Sequence, residues 1–129
     1  MTSIEQVPAG DKSAPYIELM IDDFDGYGGT TEITIRKYPS RIFVAYSHDS
    51  GLYQGDDNMD VFIAPSYITE KTPHAQFNLL KAFEKVCAIL YKENPDMAQY
   101  YFEIYSPAWN YIMQGNVKSA IKALPEDER

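Results

Sequence analysis

The amino-acid sequence predicts an α+β fold: a four-stranded antiparallel meander followed by three to four helices packed on one of its faces. Three observations predict it. Before residue 65, four short stretches show the alternating or all-apolar pattern of strands. Short turn-rich links separate them, and such links join antiparallel neighbours, because parallel neighbours need a long crossover. Beyond residue 78 the apolar spacing changes to the i, i+4, i+7 stripe of helices.

Taken in order, residues 1–14 are polar, contain Pro8 and Gly10, and are expected to form a flexible N-terminal segment. A single domain is expected over 15–125, as a chain of 129 residues predicts. Its first strand starts at Tyr16, with Ile17, Leu19 and Ile21 alternating against Glu18, Met20 and Asp22. In "TEITIRKY", Ile33 and Ile35 face one way and Glu32, Thr34 and Arg36 the other. "RIFVAY" (41–46) is apolar on both faces, as a central strand would be, and "DVFIA" (60–64) is the fourth strand. The glycines at 26–29, Pro39–Ser40, and the loop with Gly51 and Gly55 supply the turns.

In the second half, Leu79, Leu80, Phe83, Val86, Cys87 and Leu90 form one apolar stripe. Thr72–Pro73, Asn94–Pro95 and Ser106–Pro107 each read as a helix start, a capping residue followed by a proline that needs no hydrogen bond in the first turn. Asn116 after Gly115 marks a further start, and Pro125 stops that helix. The stripe Met97, Tyr101, Ile104, Ala108, Ile112 runs straight through Pro107, so one kinked helix over 95–114 is the alternative to two. Residues 126–129 are expected to be a solvated acidic tail.

Net charge is −8, and a nucleic-acid binder would be expected to be basic. Residues 1–70 hold 12 acidic and 4 basic side chains, whereas 71–129 hold 7 of each, so the first half carries the imbalance. No apolar run reaches the roughly 20 residues of a membrane span. The N-terminus lacks the basic start and apolar run of a secretory signal, and the lone Cys87 cannot form an internal disulfide. A cytoplasmic location is therefore expected.

The meander gives the charge a place. An up-down topology brings the loops after the first and third strands to the same end, gathering Asp22, Asp23 and Asp25 with Asp49, Asp56, Asp57 and Asp60. Arg36, Lys37 and Arg41 fall at the opposite end. Like charge gathered in one rim disfavours the compact state, and a cationic partner would offset it. The leading expectation is thus a small acidic binding or inhibitor module, of the immunity or counter-defence type and a possible nucleic-acid mimic. Its partner would be a basic protein surface. The plain alternative is that these aspartates are solvated loop residues.

Two further functional readings accompany it. "IDDFDGYGGTTE" (21–32) approaches a calcium-loop pattern, but Ile21 stands where the first oxygen ligand belongs and strand-like segments flank it. An irregular cation site using Asp23, Asp25 and Glu32 is the weaker version of that idea. The aromatic segment "MAQYYFEIYSPAWNYIM" (97–113) either fills a core or presents an interface, for which Tyr100, Phe102, Tyr105 and Trp109 are the candidates. A structural subunit, monomeric or homodimeric, would follow from the second choice.

Catalytic chemistry has no constellation to stand on. Ser47, His48 and Asp49 are consecutive, and a triad needs its base between nucleophile and acid in space. His74 reads as an exposed residue in a helix's first turn, and two histidines with one cysteine give no zinc spacing. Neither an enzyme nor a cofactor is expected.

Overall fold

The computed structural model describes residues 2–24, 30–39, 42–49, 60–66, 78–90 and 96–128. Five strands are described: β1 (Thr2–Val7), β2 (Tyr16–Phe24), β3 (Thr30–Lys37), β4 (Ile42–Asp49) and β5 (Asp60–Ser66). They form one sheet in the order β1-β2-β3-β4-β5, with antiparallel pairing throughout. Three helices follow, α1 (Leu79–Leu90), α2 (Met97–Met113) and α3 (Val117–Ala123), and then a 3-10 turn at Glu126–Glu128. The α+β class, the antiparallel meander and the helices after it are as the sequence predicts.

Alternation builds the sheet. The register sets Leu19 opposite Ile35 and Ile35 opposite Val44, with Ile21, Ile33 and Tyr46 in the next row. All six are buried, and they share one apolar cluster with Leu79, Phe83 and Val86 of α1, Tyr101, Trp109 and Ile112 of α2, and Ala120 of α3. One sheet face therefore carries the core. The cross-strand rows of Ile, Leu and Val are the unit that stabilises it.

Two expectations change here. Residues 2–7, expected to be flexible, form an edge strand, because Thr2 and Ile4 fall on the buried face when β1 pairs with β2. The rest of the segment is a hairpin loop, closed where Gly10 N–H donates to the Ser13 carbonyl at 3.0 Å. Second, Ser106–Pro107 starts no helix. Pro107 lies inside α2, and the buried side chains Tyr101, Tyr105, Ala108, Trp109 and Ile112 continue past it. Continuous burial on that face outweighs the hydrogen bond that the proline removes.

The described helix α1 is capped by Asn78, whose Oδ1 accepts from Lys81 N–H at 3.2 Å; the expected helix starts at Thr72–Pro73 and Asn94–Pro95, and His74, lie outside the described residues. The last helix follows its expected signals closely. Gly115 takes φ +77°, and the Gly115 and Asn116 N–H groups donate back to the Ile112 and Tyr111 carbonyls. Asn116 then caps α3, its Oδ1 accepting from Ser119 N–H at 3.1 Å.

Candidate functional site

Strand register decides which acidic residues meet. At one end of the sheet Asp22 is the Cα partner of Glu32, Asp23 of Thr31, Thr31 in turn of His48, and Asp49 of Asp60. Four of the seven expected rim residues, Asp22, Asp23, Asp49 and Asp60, therefore share that end by backbone position. Asp25, Asp56 and Asp57 lie outside the described residues. Asp22 and Glu32 are both exposed and directly opposite, an arrangement that disfavours pairing through like-charge repulsion. A cavity of about 150 Å³ lies beside Asp22, lined by it with Thr2, Ser3 and Met20.

The other end of β2 and β3 shows the opposite arrangement. Glu18 is the partner of Arg36, and Arg36 Nε donates to Glu18 Oε2 at 2.7 Å. The guanidinium also lies 4.7 Å from the Tyr16 ring centre and 5.5 Å from that of Phe43, on the sheet face away from the core. Burial alone would lower the Arg36 pKa, but hydrogen bonds to Glu18 and Tyr38 and the charge of Glu18 together raise it. Nearby, Gln6, Pro15, Tyr16, Ile17, Lys37 and Pro39 line a cavity of about 200 Å³. Arg41 lies outside the described residues.

Two acidic contributions were not expected at the rim. Glu32 reads in the sequence as the outer face of a strand and as a weak cation-ligand candidate, not as a rim residue; counting pairs outward from the closing pair Phe24–Thr30 is the signal that places it against Asp22. The C-terminal segment, expected to be a solvated tail, is folded back. Glu126 and Asp127 are exposed on a 3-10 turn whose Glu128 accepts a hydrogen bond at 2.6 Å from Thr2, the β1 residue opposite Ile21. No local sequence pattern carries that contact across 126 positions.

For the cation reading, the register sets Glu32 opposite Asp22 and not opposite Asp23. Among the described residues no group of three or more His, Cys, Asp or Glu side chains is placed to hold a metal ion. The aromatic candidates divide. Tyr105 and Trp109 are 2% and 5% exposed and belong to the core, so the interface expectation is corrected for both; Phe102 is half-buried and Tyr100 is 54% exposed. Inside, Phe83, Tyr101 and Tyr105 stack at centroid distances of 5.7–6.4 Å, which holds α1 to α2. One apolar helix face thus takes most of the rings.

Cys87 is a free thiol, 1% exposed in the same cluster. Burial pushes its pKa up to about 12. A thiol whose folded pKa exceeds its unfolded value of about 8.5 binds more protons when folded at intermediate pH. Its contribution to stability is therefore fully present below about pH 8.5 and is lost as pH rises through about 12. Urea titrations should show Cys87→Ala losing less stability than the parent between pH 9 and 11, and the parent thiol should resist alkylation until the protein unfolds.

No described helix is long and apolar enough to cross a membrane. No protein-family model matches the chain, and neither curated proteins nor solved structures return a match.

Proposed function

We propose that the protein is a small binding or inhibitor module that engages a basic surface of another protein through the acidic end of its sheet. The observation that carries the reading is the register. Asp22 faces Glu32 and Asp49 is the Cα partner of Asp60, at the end where Asp23 also lies. The exposed Asp22 and Glu32 are like-charged cross-strand neighbours, whereas Glu18 and Arg36 further along the same strands are complementary. A partner presenting Lys and Arg side chains offsets that repulsion and would be steered toward it over about a Debye length. Imitation of nucleic-acid phosphates is the version in which the partner's surface ordinarily holds DNA or RNA. The proposal assigns no catalytic step, and sets the binding in the cytoplasm, where the free thiol of Cys87 persists.

The test is capture of partners from the native host lysate, repeated from about 50 mM to about 500 mM salt. Capture should fall steeply with salt. A variant with Asp22, Asp23, Asp25, Asp56 and Asp57 all changed to Asn should capture nothing. A cooperative thermal melt should show that the variant is still folded. Unchanged capture by the folded variant would sink the proposal.

A further inference from the structure

The geometry points to a latch: the C-terminal turn clasps the N-terminal edge strand, and the two open together as one unit. This inference is independent of the partner proposal and uses a different set of side chains. Among the described strands β1 has a neighbour on one side only, β2. Its hold on the core is slight, because Ile4 is its one buried aliphatic side chain, while Ser3, Glu5 and Gln6 are exposed. Against that weak hold stands a three-residue relay. Thr2 Oγ1 donates to Glu128 Oε2 at 2.6 Å and lies 3.0 Å from the Tyr105 hydroxyl.

The direction of the relay follows from proton counting. A threonine hydroxyl has one proton, and an ionised carboxylate only accepts. With that proton given to Glu128, Tyr105 is the donor to Thr2. The chain of bonds therefore runs from α2 through β1 to the C-terminal turn. Thr2 is 7% exposed and Tyr105 2%, so the Tyr105–Thr2 bond is shielded from water, while the charge-assisted bond to the half-buried Glu128 lies at the margin of the core. Drawing Glu128 away removes the acceptor from a buried hydroxyl at the very end of an edge strand. Such strands open locally before the rest of a domain does.

Amide hydrogen exchange on the full chain tests it. Glu128→Ala should speed exchange across Thr2–Val7 about tenfold, the effect of losing one charge-assisted bond. Amides of Ile33, Ile35 and Val44 should keep their parental rates. Thr2→Val removes the same bond while keeping the side-chain shape, and should reproduce the pattern. Unchanged exchange over β1 in both variants would overturn the latch. So would equal acceleration in β1 and in the β3–β4 rows, because that is loss of global stability and not the opening of one unit.

Discussion

Trp109→Ala is expected to cost roughly 3–5 kcal/mol of folding stability, the range for removing a large aromatic from a packed core. Trp109 is 5% exposed, and its neighbours along the buried side of α2 are Tyr105 at 2% and Ile112 at 0%. The rings of Phe83, Tyr101 and Tyr105 around the α1–α2 contact limit how far the core can collapse into the space the ring leaves. Domains of this kind have about 5–15 kcal/mol in total, so the variant should have a midpoint far below the parent in urea. Its slope should stay unchanged if the unfolded chain is the same. Tyr100→Ala, nine residues earlier in the same helix but 54% exposed, should stay within about 0.5 kcal/mol. The contrast decides what the aromatic segment is for. A Trp109→Ala protein as stable as the parent would return that ring to the surface and reopen the interface reading.

The aromatic segment also shows what a sequence can and cannot reveal. Its helical spacing is legible, and so is the continuity through Pro107, because Met97, Tyr101, Ile104, Ala108 and Ile112 keep one phase. Which of two adjacent faces is buried is less legible. Tyr105 and Trp109 sit four apart, beside the Tyr101–Ala108–Ile112 stripe, and the buried arc is wide enough to take both. β1 is obscured for a related reason. In "TSIEQV" the inward residues are Thr2 and Ile4, and a single aliphatic side chain gives no visible alternation. The strand becomes recognisable only beside Ile21 and Leu19 of β2.

The rim was legible as topology and not as pairing. Four strands joined by short links already send Asp22 and Asp49 to one end. Finding Glu32 opposite Asp22 needs the register, which the closing pair of the hairpin sets. The Thr2–Glu128 contact is further out of reach, because it depends on how α2 and α3 return the chain to β1. Pairings 18 residues apart, such as Glu18 with Arg36, lie between these cases. Opposite charges on the same pleat phase suggest them once the strands are drawn side by side.

That pair carries the second large effect. Arg36→Met should destabilise the protein by about 2–3 kcal/mol, less than the 3–5 typical of a fully buried pair because solvent screens part of it. The asymmetry lies in exposure: the Arg36 side chain is 33% exposed and that of Glu18 only 11%. Losing the arginine strands a carboxylate that water barely reaches. Losing the carboxylate is milder, so Glu18→Leu should cost about 1 kcal/mol; the guanidinium keeps its stacking on Tyr16 and Phe43 and turns its free N–H groups to solvent. The double variant Glu18→Leu/Arg36→Met should recover to within about 1 kcal/mol of the parent, since two apolar chains pack between the same rings without either charge. Denaturant titrations of the four proteins close the cycle, with a coupling of about 2 kcal/mol expected. Additive losses in the double variant would mean that the two side chains act separately, and that the outer face of the sheet is held by its aromatic residues and not by the ion pair between them.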